Sequence, residues 1–123
     1  MDIKLVFDLH DWFLKGKMEE MDHKIAFLVE DQRQDEANLN KARKNVYEIF
    51  RKMAAASRKQ GDNAVEAYRK HLTNIPKNWE AARQQAMQHD DAHRRAVEDM
   101  KLSALNEIVK HLNDTMGEGG NGQ

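Results

Sequence analysis

A heptad constrains this chain more than any other feature. From Met18, apolar residues step by three and four through Met21, Ile25 and Leu28, then past Gln32 and Asp35 to Leu39, Ala42, Val46, Ile49, Met53 and Ala56. Ten of these twelve positions are apolar. A sustained repeat near 3.5 residues keeps one narrow seam of a helix turned toward a partner helix. It predicts a helix over 17–60, about 65 Å long at 1.5 Å per residue. Gly61 suits the residue just past its end, and Asp62 the cap of the next helix. The spacing resumes through Val65, Tyr68, Leu72, Ile75, Trp79, Ala82, Ala86, His89, His93, Ala96 and Met100, then loosens to Ala104, Ile108 and Leu112. Pro76 interrupts this second arm and predicts helices over 62–73 and 76–115, a kinked continuous arm being the alternative.

The first fifteen residues predict a separate apolar helix over 3–15, which Gly16 breaks or bends; the alternation Ile3, Leu5, Phe7, Leu9 would also suit an edge strand. Lys4, Asp8, Asp11 and Lys15 share one polar stripe, and the rest of the circumference is largely apolar. Such a helix is buried on several sides. Ile3, Phe7, Trp12 and Phe13 are therefore candidates for an apolar partner surface. The expected class is all-α: a long, coiled-coil-like antiparallel helical hairpin with a short N-terminal helix and a break near Pro76. A narrow hairpin buries little core, so completion of a helical bundle by self-association is expected, with a homodimer as the simplest form. One domain spans 1–116, followed by a Gly-rich flexible tail over 117–123. No 20–50-residue repeat is visible.

If the chain folds back at Gly61, the two polar interruptions of the first seam, Gln32 and Asp35, lie level with those of the second, His89 and His93. Three readings of this polar seam layer follow. The side chains hydrogen-bond or are solvated and set the register of the hairpin. Alternatively His89 and His93, at i and i+4, join Asp35 around a metal ion. The third is a pH sensor, in which protonation of the two histidines loosens the hairpin. No further metal or cofactor signature is present, so no cofactor is expected.

The formal net charge of −1 conceals a polarity. Residues 41–83 hold eleven Lys or Arg against four acids, whereas residues 1–40 hold five against ten. Lys44, Arg51 and Arg58 recur every seven residues with Lys52 and Lys59 beside them. That basic ridge suits a row of phosphates, yet no aromatic platform for bases interleaves it. Nucleic-acid binding is thus the alternative function, not the first.

Absent cysteines exclude a disulfide scaffold, a Cys-based zinc ribbon and a thiol enzyme. No Gly-rich phosphate loop or paired nucleophile and base is present, so no catalytic residue is expected and the chain reads as a non-enzyme. The absence of a membrane span and of a signal-type N-terminus predicts a cytoplasmic protein. The expected function is a helical protein–protein interaction or assembly role, adaptor- or chaperone-like, with a metal-binding bundle as a further alternative.

Overall fold

Asp2 starts the first helix by accepting a hydrogen bond from the Leu5 backbone N–H at 3.2 Å, which satisfies one of the donors a helix start leaves unpaired. In the computed structural model, which describes residues 2–117, five α-helices follow one another. They are α1 (Ile3–Glu30), α2 (Gln34–Ser57), α3 (Ala64–Asn74), α4 (Lys77–Gln88) and α5 (Ala92–Thr115), with a 3-10 segment over Arg58–Asn63 between α2 and α3. The described residues contain no strand. The tail expected over 117–123 lies outside them apart from Gly117.

Three boundaries differ from expectation. Gly16 does not end a helix, and α1 runs through it to Glu30. A mid-helix glycine costs only about 1 kcal/mol, and the buried Leu14 and Met21 on either side hold the helix together. Nor does one helix span 17–60. The chain turns back at Asp31-Gln32-Arg33, where Gln32 takes a left-handed backbone with φ of 61°. The Arg33 N–H donates to the Leu28 carbonyl at 2.8 Å and the Gln32 N–H to that of Val29 at 3.1 Å, the double bond that closes a helix end over a left-handed residue. The second arm folds in the same way after α4. Asp90 has φ of 54°, its N–H donates to the Met87 carbonyl at 3.3 Å, and the Asp91 N–H donates to that of Ala86 at 2.8 Å. Asp91 then caps α5 through the Arg94 N–H at 3.0 Å.

Gly61, with φ of 62°, still reverses the chain between α2 and α3, but α3 follows Asn63 with no side-chain cap from Asp62. At Pro76 the hydrogen-bond ladder is interrupted while Ile75 and Pro76 keep right-handed helical angles. Together α3 and α4 make one kinked arm. Neither Thr73 nor Asn74 caps a new helix there, because α4 starts directly after Pro76.

The result is an up-down-up-down four-helix bundle made by a single chain. Side-chain pairs fix the directions. Asp8–Arg58, Asp11–Arg51 and Asp22–Lys44 set α1 antiparallel to α2. Arg69–Asn113 and Arg83–Asp99 set the kinked arm antiparallel to α5. His10–His111 and Lys17–Glu107 set α1 antiparallel to α5. Both hairpin turns therefore lie at one end, and the 3-10 segment lies at the other. Four arms from one chain close the core, so the bundle does not require a second copy for its closure.

The second hairpin repeats the first at an offset of 58 residues, the separation of the hydrogen-bonded pair His10 and Tyr68. Gln32 and Asp90, the two left-handed turn residues, are such a pair. Burial follows the same offset: Val6 and Ala64, Leu14 and Leu72, Leu28 and Ala86, Val46 and Ala104, Phe50 and Ile108, and Ala54 and Leu112 are all buried. Even the buried polar residues correspond, Asn40 with Glu98. Of these pairs only Leu14 and Leu72 share a residue type, so the repeat is one of packing. Its length also exceeds the 20–50 residues of solenoid repeats.

Candidate functional site

Along α1, Leu5, Leu9, Trp12 and Gly16 step by four, three and four, which places them on one side of the helix. His23 and Phe27 continue that side toward the turn, across Glu19 and Glu20. Trp12 is 75% exposed, Phe27 62%, Leu5 53% and Leu9 40%. The opposite side carries Val6, Phe7, His10, Leu14, Met21 and Leu28, all buried. The helix has two apolar faces, one in the core and one in solvent. That is why its sequence is apolar around most of the circumference. Exposed large apolar side chains grouped on one face mark contact surfaces far more often than singly scattered ones do.

The bundle supplies an internal control for this face. At the offset of 58, the counterparts of Leu5, Leu9, Trp12, Gly16 and Phe27 are Asn63, Ala67, Lys70, Asn74 and Gln85. Apart from Asn63, which closes the 3-10 segment, these positions stand on the equivalent kinked arm, yet all are polar or small. The fold does not ask for an apolar outer face, and α1 has one anyway.

The expected partner surface is thereby split. Trp12 belongs to the outer face. Phe7 is 2% exposed and packs in the core against Tyr68, ring centroids 5.9 Å apart. Phe13 stacks on His111 at 4.0 Å, and Ile3 packs at the edge of the core. Leu5, Leu9 and Phe27, which the heptad did not single out, complete the face. Their 3–4 spacing was the available signal.

The polar seam layer does not form. Gln32, Asp35, His89 and His93 are exposed at the two hairpin turns. They lie at the same end of the molecule, as the fold-back predicted, but as turn residues and not as a layer between helices. His89 ends α4 and His93 lies in α5, so the i, i+4 geometry of a single helix is lost. Among the described residues no group of three His, Cys, Asp or Glu could hold a metal ion.

The basic ridge is largely consumed within the first hairpin. Lys44 pairs with Asp22 at 2.6 Å, Arg51 with Asp11 at 2.7 Å and Arg58 with Asp8 at 2.9 Å. The seven-residue spacing of the cations is the spacing of one ladder between α1 and α2. Only Lys52 and Lys59 of the five remain fully outward and exposed. The neighbouring groove between α1 and α2, about 310 Å³, is lined by Asp11, Arg51, Lys52 and Glu48 with Met18 and Ala55.

Two polar clusters tie the helices together. His10 Nε2 meets the Tyr68 hydroxyl at 2.6 Å, and His10 Nδ1 meets His111 Nδ1 at 2.8 Å. One hydrogen lies between the two Nδ1 atoms, so one neutral ring donates to the other. Burial, helped by His111 and opposed by Asp11, lowers the His10 pKa to about 3. His111 is also lowered by burial, against the pull of Asp114. In the second cluster Glu107 of α5 accepts from Arg43 and Tyr47 of α2 and pairs with Lys17 of α1 at 3.5 Å. Burial raises the Glu107 pKa, but the hydrogen bonds from Tyr47 and Arg43 outweigh it and hold the carboxyl below its ordinary value. Both clusters join α1 to the rest of the bundle, and their polar atoms are turned toward each other instead of toward an open cleft.

Comparison with family models, curated proteins and solved structures finds no match for this chain. Among the described residues no helix is long and apolar enough to cross a membrane.

Proposed function

We propose that this chain is a non-enzymatic helical interaction protein, adaptor- or chaperone-like, that binds a protein partner through the outer face of α1. One observation carries the reading. Leu5, Leu9, Trp12 and Phe27 are exposed on a helix whose counterpart within the same bundle presents Asn63, Ala67, Lys70 and Gln85 at those places. Exposed aromatic and aliphatic anchors of this kind supply most of the energy of protein contacts. The reading includes a cytoplasmic site of action. The engaged ridge of Lys44, Arg51 and Arg58 makes nucleic acid the weaker partner class.

A photo-crosslinking amino acid placed at position 12, and separately at position 70, tests the reading in the source cell. Crosslinked protein adducts are expected at 12 and not at 70. Equal yields at the two positions, or none at either, defeat it.

A further inference from the structure

We infer that the outer face of α1 is occupied by a second copy of the chain, α1 lying antiparallel on α1 with Gly16 of both copies near the two-fold axis. The inference rests on the interaction reading above and names its partner. Closure of the core does not call for a second copy; the argument comes from the outer face alone.

Gly16 is the first observation. It lies exposed in the middle of α1, and a Cβ built on it meets nothing within 4 Å. No group of its own chain needs the space, and the backbone there is ordinary helix. A glycine in such a place costs about 1 kcal/mol relative to alanine. What it supplies is a backbone that another helix can approach closely.

The order of residues along the face is the second. In an antiparallel pairing centred on Gly16, Leu5 lies opposite Phe27 of the second copy and Leu9 opposite His23. Trp12 reaches the gap that the second copy's Gly16 leaves, next to Glu20, whose charge Lys17 already meets at 3.7 Å. Each large apolar side chain then has an apolar, aromatic or vacant place to enter.

Charge is the third, and it selects the direction. Lys15, level with the second copy's Lys17 (which turns inward to Glu107), comes two residues from Glu19 on the same flank, and Lys4 two residues from Glu30. In a parallel pairing the two acidic turn ends would lie side by side, which is unfavourable. The polarity of the whole molecule acts in the same sense. The turn end holds Glu30, Asp31, Asp35, Glu36, Asp90 and Asp91 against Arg33, Arg94 and Arg95, while the opposite end holds Lys52, Arg58, Lys59 and Lys70 against Asp62 and Glu66. Antiparallel docking sets each acidic end beside a basic one.

Size sets the strength. The 28 residues of α1 span about 42 Å, and a strip about 12 Å wide along it offers roughly 500 Å² a side. That is the low end of specific interfaces, so the dimer is reversible and sensitive to salt.

Sedimentation equilibrium of the purified full chain, from about 1 to 300 μM, spans the range in which so small an interface dissociates. A monomer–dimer equilibrium is expected, weakened at least tenfold by Trp12→Glu and by Gly16→Arg. Both variants should keep the wild-type helical signal, and Gly16→Arg should melt no lower than wild type, because an exposed mid-helix position gains from losing glycine. Lys15→Glu should weaken the dimer, and adding Glu19→Lys should restore it. A chain that stays monomeric throughout, or a dimer that Trp12→Glu leaves unchanged, overturns the inference. A monomer that still crosslinks to another protein at position 12 overturns the second copy but keeps the interaction reading. No adduct of any kind at position 12 defeats both.

Discussion

The two hairpins of this bundle share a framework and differ on their surface. In each, a long arm runs to a left-handed polar residue, closes the turn with the same pair of backbone hydrogen bonds, and returns as a 24-residue helix. Inward positions correspond across the offset, with Val6 opposite in role to Ala64 and Ala54 to Leu112, so that size lost in one hairpin is supplied by the other. Outward, Val29 and Met87 still correspond beside the turns, both exposed, but the rest of the α1 face does not. The first hairpin carries Trp12, Phe27 and a three-rung ion-pair ladder, whereas the second carries mostly polar or small residues and a kink at Pro76. Features that both hairpins show are what the fold needs. Those that one hairpin shows alone are where function is to be sought.

If the framework is shared, equivalent core positions should fail alike. Phe50 and its counterpart Ile108 are both fully buried. Phe50→Ala should cost about 3–5 kcal/mol and Ile108→Ala about 2–5 kcal/mol. Each should shift one cooperative urea transition followed by far-UV dichroism and by tryptophan fluorescence together. Separate transitions for the two probes would show hairpins that stand independently and would break the comparison.

Acid should act on the contact between the hairpins, where His10 of α1 meets His111 of α5. His10 is buried against Tyr68, its own counterpart, and only the first of these has an ordinary pKa near neutrality. The folded His10 binds a proton with a pKa of about 3, below its ordinary 6.5, and His111 is shifted in the same direction. Between those values the unfolded chain holds more protons than the folded one. Stability is therefore complete above pH 6.5 and falls as the pH drops below it, by up to about 1.4 kcal/mol per pH unit for His10, with His111 adding in the same direction. Denaturation midpoints measured between pH 7.5 and about 5 check this, and His10→Phe should flatten the slope. An unchanged slope would mean that the acid response belongs to other groups.

Much of this architecture was legible in the sequence, and the remainder failed for identifiable reasons. The 3–4 spacing announced helices throughout, and Gly61 marked a true reversal. What the spacing concealed were the two extra turns. Glu30–Glu36 is an unbroken polar run, and Gln88–Arg95 is nearly one, yet apolar residues resume in phase after each, so a heptad can be counted straight through. The left-handed positions are filled by Gln32 and Asp90 instead of glycine, which removed the usual sign of a helix end. Polar interruptions in a seam and a tight turn look alike in one dimension. The same limit hid the outer face of α1, because the narrow polar stripe of Lys4, Asp8, Asp11 and Lys15 does not say which of the two apolar sides beside it enters the core. The basic ridge was correctly seen as periodic, but its partners Asp8, Asp11 and Asp22 lie on another helix, where spacing along α2 could not show them.

The smallest effect gives the most direct test of the repeat. Gln32 and Asp90 each hold a left-handed backbone that a side chain resists and glycine adopts freely. Neither residue is buried, so replacement removes little packing. Gln32→Gly and Asp90→Gly should each stabilise the fold by about 0.5–1 kcal/mol, after the larger chain entropy of glycine is counted. The turns belong to different hairpins and share no hydrogen-bond partner, so the double variant should show the sum. Thermal melts of the two single variants and the double variant measure this. A gain at Gln32 with a loss at Asp90 would show that the second turn depends on its side chain, and that the hairpins are equivalent in path but not in how the path is held.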